Sequence, residues 1–125
     1  MITTGIDIVQ VARMADALER HGERFLQRIF TPDEIAYCCG RPTALAARFA
    51  AKEAAGKALG VGMRGLNPAG IRWHEAEVRN DAQGRPFLLL HGAAAQLAAA
   101  QGWREWSLSL AHERDAAVAF VVARD

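Results

Sequence analysis

Charge of one sign is nearly absent as an excess in this sequence: 15 lysines and arginines stand against 14 aspartates and glutamates, a net charge of +1. A general nucleic-acid binder carries a strong basic excess, so that class is excluded, and no interleaving of aromatic with basic residues argues for it. Long apolar runs are missing too. None approaches ~18 uncharged residues, and no membrane span is expected. The opening "MITTGIDIVQ" has neither a basic leader nor a small-residue cleavage site, so no secretory signal is expected. Cysteine is scarce, and its two copies, Cys38 and Cys39, are adjacent. Neighbours rarely reach disulfide geometry, which points to reduced thiols and a cytoplasmic protein. Apolar residues, by contrast, make up 51% of the 125. That excludes a disordered chain and suffices for one domain, residues 1–125, around a hydrophobic core.

The first pattern is a strand. "ITTGIDIV" is rich in β-branched residues, and alternation puts Ile6 and Ile8 on one side with Gly5, Asp7 and Val9 on the other. From about Val11 to His21, the positions Val11, Met14, Ala15 and Leu18 keep a helical period. Gly22 interrupts it, and "ERFLQRIF" adds a short helical segment. "TPDE" is a helix start, with Thr31 as cap, Pro32 in the first turn and Glu34 completing a capping box. Gly40 and Pro42 stop that helix, and a longer one is predicted from about Thr43 to Leu59, ending at Gly60. "GVGMRGLNPAG" is an aperiodic glycine-rich loop. Beyond it, "IRWHEAEVR" and "RPFLLLHG" read as strands flanking the turn "NDAQG". "GAAAQLAAAQG" is a short helix, "EWSLSLAH" alternates as a strand, and "AAVAFVVA" suits a central strand covered on both faces. The fold class is α+β: an N-terminal strand, helices, then mostly antiparallel sheet.

Three stretches do not look like scaffold, though each has a structural reading as well, His112 that of a hydrogen-bonded residue at a strand end. Asp7 sits inside an otherwise apolar strand, where aspartate is disfavoured. It is either an edge residue facing water or a ligand for a hard cation such as Mg²⁺, which takes one or two carboxylates plus phosphate and water oxygens. In "FAAKEAAGKALG", Glu53 and Lys57 share a helical face. They are either a solvated ion pair or charges aimed at a ligand that the surrounding alanines let approach. The loop that follows, with Gly60 and Gly62, offers backbone amides to a phosphate. His112 closes "SLSLAH", where Leu108, Leu110 and His112 share one strand face and Ser107 and Ser109 the other.

Taken in order, "GIDIV", "RFAAKEAAGKALG" and "SLSLAH" resemble the holo-[acyl-carrier-protein] synthase family, the short bacterial type of phosphopantetheinyl transferase. The likeness spans nearly the whole chain, including Arg13, "RF" at Arg24–Phe25, "TPDE" and "GRP" at Gly84–Pro86. The resemblance implies an enzyme that moves the 4'-phosphopantetheine arm of coenzyme A to a serine of apo acyl-carrier protein in fatty acid biosynthesis, releasing adenosine 3',5'-bisphosphate. It implies Mg²⁺ held by Asp7 and Glu53, with Lys57 on the pyrophosphate, Gly60, Gly62 and His112 near the coenzyme, and Glu53 or a water as base. It further implies a homotrimer with sites between subunits. The acidic carrier would dock on Arg13, Arg20, Arg24 and Arg28. Of these, Arg13, Arg20 and Arg24 come close to one helical face if the turn at Gly22 permits. Two departures stand out: Ala111 precedes the histidine where the family has a hydroxyl residue, and Val61 replaces a frequent threonine. A carrier- or coenzyme-binding module without catalysis, and a purely structural α+β protein, are the alternatives.

Overall fold

The computed structural model describes residues 1–65 and 67–125. The elements are β1 (Ile2–Gln10), α1 (Val11–Ile29), α2 (Pro32–Cys38), α3 (Pro42–Ala58), a 3₁₀ turn (Trp73–Glu75), β2 (Ala76–Asn80), β3 (Pro86–Leu90), α4 (Gly92–Gln101), β4 (Glu105–His112) and β5 (Ala116–Arg124). The α+β reading holds in both order and type. Leu66, within the 60–70 loop, lies outside the described residues.

Local chemistry accounts for the boundaries. Thr31 accepts the Glu34 amide at 3.2 Å while the Glu34 carboxylate accepts the Thr31 amide at 2.9 Å, the reciprocal box expected at the start of α2. Gly22 sits at φ 51°, ψ −133°, so α1 is two helical segments joined by one non-helical residue. The segment read as a single strand from Ile71 divides instead into the 3₁₀ turn and β2. The cause is Glu75, whose carboxylate accepts the amides of Arg72 at 2.9 Å and of Ala93 at 2.7 Å. It satisfies the start of α4 and bends its own segment out of the strand.

β5 is central in an antiparallel sheet of order β1-β5-β4, while β2 and β3 form a separate hairpin. Ala117, Ala119, Val121 and Ala123 are buried under α3, whereas Phe120 on the opposite face is exposed. Within one chain β5 is therefore covered on one face only. The expected two-sided cover fails because no element among the described residues crosses the outer face, which also shows Ile6 and Ile8.

The α3–sheet contact is made of small residues. Ala50, Ala51, Ala54 and Ala58 meet Ala119 and Val121 in one cluster, and the backbones come very near each other. A Cβ at Gly5 would lie 1.9 Å from the Ala54 carbonyl oxygen, and one at Gly56 would lie 2.9 Å from the carbonyl carbon of Gly62. Glycine is required at both points because anything larger would meet backbone. These approaches fix where α3 lies along β1, and so set Asp7 against the last turns of α3.

Candidate active site

Asp7 pairs in register with Ala119, whose side chain is buried beneath α3, so Asp7 points to the inner face of the sheet. There it meets Lys57, not water alone. Lys57 Nζ donates to Asp7 Oδ1 at 3.0 Å and to the Ile6 carbonyl at 2.9 Å. The i,i+4 partner expected for Lys57, Glu53, is not in the ion pair it forms. Glu53 lines the same cavity, together with Arg13, Met14, Phe25 and Phe49. Its carboxyl is held above the usual glutamate range, chiefly by burial and next by the charge of Asp7, with Lys57 opposing. Two carboxylates in one cavity, that of Glu53 half-buried, beside one lysine make a site with an unmet demand for positive charge. No group of three or more His, Cys, Asp or Glu gathers around a common point among the described residues. A pair of carboxylates suits Mg²⁺ completed by phosphate and water oxygens better than a metal caged by protein alone.

His112 is elsewhere. It pairs with Ala117 at the far edge strand β4, while Asp7 is on β1. β5 lies between them, which separates the two edges by roughly 9–10 Å. α3 packs on the same inner face, so His112 opens into a second cavity, with Tyr37, Arg41, Arg48 and Asn80. Arg48 is 3% exposed. Its Nη2 donates to Asn80 Oδ1 at 2.7 Å, its guanidinium carbon lies 4.1 Å from the centre of the Tyr37 ring, and its buried Nε has no partner among the described residues. A buried guanidinium with a free N–H beside a histidine is equipped to receive an anionic group. Sequence reading passed over Arg48, although a charge among the alanines of a buried helix was the available signal.

Gly60 and Gly62 border the end of α3, but their amides are engaged. The Gly60 amide donates to Lys57 O at 3.0 Å, and the amides of Val61 and Gly62 donate to Gly56 O at 3.2 and 3.0 Å. They close the end of the helix, and a phosphate would find these donors already in use.

Of the arginines on α1, only Arg13 lines the carboxylate cavity. Arg20 pairs with Asp16 at 3.2 Å. Arg24 and Arg28 come after the break at Gly22, so helical spacing alone does not carry the face of Arg13 and Arg20 across to them. Lys52, the residue before Glu53, is fully buried against Glu34 at 2.7 Å. Burial pulls its ammonium below the usual lysine range, against the charge of Glu34.

The profile of the 4'-phosphopantetheinyl transferase superfamily matches residues 3–121. The chain is 51% identical to the holo-[acyl-carrier-protein] synthase of Herpetosiphon aurantiacus over 98% of both chains. It is 50% identical to that of Koribacter versatilis over 100% of this chain and 99% of the relative. Among solved structures, the holo-[acyl-carrier-protein] synthase of Neisseria meningitidis superposes with a TM-score of 0.87 at 38% identity, covering 100% of each chain. The Helicobacter pylori holo-[acyl-carrier-protein] synthase in complex with coenzyme A superposes with a TM-score of 0.85 at 30% identity, over 99% of this chain and 100% of that one. With likeness of this extent over the whole fold, the chain belongs to the holo-[acyl-carrier-protein] synthase family of the 4'-phosphopantetheinyl transferase superfamily.

Proposed function

We propose that residues 1–125 form one phosphopantetheinyl transferase domain that moves the 4'-phosphopantetheine arm of coenzyme A to a serine hydroxyl of apo acyl-carrier protein. Adenosine 3',5'-bisphosphate leaves, and the step serves fatty acid biosynthesis in the cytoplasm. The observation that carries this reading is the meeting of Asp7, Glu53 and Lys57 in one cavity, with Lys57 bridging to Asp7 across 3.0 Å.

Asp7 and Glu53 would hold Mg²⁺, which when bound supplies positive charge to the pyrophosphate. Lys57 can release Asp7 and take a phosphate oxygen, since a phosphate competes well for a half-exposed ammonium. Its role is to stabilise charge that develops as the phosphorus–oxygen bond breaks. Glu53, a carboxylate with raised proton affinity, or a water can accept the serine proton. The cavity of His112 and Arg48 suits the phosphorylated adenosine end of the coenzyme. α3 keeps that cavity apart from the carboxylates within one chain, and a homotrimer with sites between subunits would unite them. The outer sheet face supports such assembly, with Ile6 56%, Ile8 66% and Phe120 40% exposed; clustered apolar surface of this kind marks an interface. Arg13, with Arg20, Arg24 and Arg28, offers the acidic carrier a basic approach along α1.

The test is incubation with coenzyme A, Mg²⁺ and apo acyl-carrier protein, followed by intact-mass measurement of the carrier. The expected result is a carrier heavier by one phosphopantetheine, dependent on Mg²⁺. An unmodified carrier alongside tight coenzyme binding would leave a binding module without catalysis.

A further inference from the structure

The buried pair of Glu34 and Lys52, each 0% exposed, has no part in the proposed chemistry. All three donors of the Lys52 ammonium are satisfied: Glu34 Oε1 at 2.7 Å, Trp73 O at 3.0 Å and Ala76 O at 2.8 Å. Glu34 also accepts the Val78 amide at 2.9 Å. The pair thus ties α3 to α2, the 3₁₀ turn and β2. Buried ion pairs add little net stability over apolar residues of the same shape, so stability is a weak account of this one.

Placement gives a better account. Beyond Lys52, the buried residues of α3 are Ala54, Ala55, Gly56 and Ala58. The close approaches at Gly5 and Gly56 set how near α3 lies to its neighbours, but side chains this small add little resistance to rotation, because they project almost no knob into the surrounding surface. Phe49 stacks on Trp73 at 4.8 Å one turn earlier, which leaves Lys52 as the sole long side chain anchored in the core from that half of α3. Glu53 is the next residue, turned by ~100°, and Lys57 lies one turn beyond it. We propose that Lys52 is a positioning residue: anchored by Glu34 and the two carbonyls, it fixes the rotation of α3 that aims Glu53 and Lys57 at Asp7. This rests on the reading of Asp7 and Glu53 as metal ligands.

The test is the double variant Lys52→Met with Glu34→Gln, which removes both charges together and leaves neither stranded. Mn²⁺ affinity is read by paramagnetic resonance with coenzyme A present and carrier absent; turnover and thermal unfolding are read separately. The expected result is a folded protein whose Mn²⁺ affinity falls about tenfold or more and whose kcat falls about 10- to 100-fold, with KM for carrier unchanged, as misaligned groups imply. A folded double variant with wild-type affinity and kcat overturns the inference. Should it not fold, Glu34→Gln alone, which keeps the shape of the site, is judged by the same two readings. Wild-type protein that binds no Mn²⁺ overturns the metal reading and this inference with it. Wild-type binding matched by the variant overturns this inference alone.

Discussion

At position 57 a lysine can brace a helix or hold a ligand, and the two duties come apart on mutation. The ammonium is half-exposed and reaches Asp7 on another element, so its ion pair contributes about 0–1 kcal/mol. Lys57→Ala should hardly change melting, yet reduce kcat for carrier modification by on the order of 10²–10³, the usual cost of losing one charge-stabilising contact. Lys57→Arg should not restore it, because a planar fork replaces a compact charge poorly. Normal turnover in Lys57→Ala, measured beside thermal unfolding, would return the residue to a bracing role. Glu77 behaves in the opposite way. Burial raises its carboxyl, but hydrogen bonds from Thr31 and His91 and the charge of Arg79 outweigh that and hold it below the usual range. Its stabilisation is therefore fully present above the ordinary glutamate pKa of about 4.3 and is lost as pH falls through its own lower value. Glu77→Gln should melt lower than wild type at neutral pH, with the gap closing in acid. A gap that persists unchanged at low pH would contradict the assignment.

At the scale of elements, the crossing of β1 and α3 tolerates no added bulk. Gly5→Ala places a methyl 1.9 Å from a backbone oxygen, an obstacle no side-chain rotation relieves. The cost should exceed the ~1–3 kcal/mol of ordinary overpacking, read as a lowered denaturation midpoint, together with loss of the Asp7–Lys57 geometry. Element type and order were legible because period, cap and breaker residues agree at Thr31, Gly22 and the alternating "SLSLAH". What was illegible came from tertiary demands. Nothing local in "IRWHEAEVR" says that Glu75 caps a helix three elements later. Nothing in "AAGKALGVG" says that the loop amides turn back to Gly56. The candidate residues Asp7, Glu53 and Lys57 were legible as unusual, but their partners were not: sequence spacing suggested Glu53 for Lys57, and the strand supplied Asp7 instead. On α1, Arg13→Glu should raise KM for the carrier far more than that for coenzyme A. High salt should mimic it, since exposed charges are screened beyond roughly 10 Å at 0.1 M; an unaltered carrier KM would move the docking surface elsewhere.

At the scale of the molecule, no helix among the described residues is long and apolar enough to cross a membrane, yet the outer face of the β1-β5-β4 sheet is apolar. If copies of the chain cover that face, Phe120→Glu should yield a smaller species on size exclusion, with native circular dichroism and with transfer lost. A variant that keeps both its size and its activity would exclude the sheet as the interface. The resting bond between Lys57 and Asp7 has a consequence for the order of events. It gives the cavity an internal counterion, so a divalent cation arriving alone must compete with Lys57 for Asp7. A phosphate arriving alone must draw Lys57 away from Asp7 with no cation to take its place. Each entrant makes room for the other, which in linkage terms is positive coupling, equal in both directions. The dissociation constant for Mg²⁺ should therefore be lower with coenzyme A present than without it, and that for coenzyme A should be lower by the same factor when Mg²⁺ is added. In Lys57→Ala, where no internal counterion has to be displaced, the coupling should shrink to what direct attraction between the bound cation and the phosphates supplies.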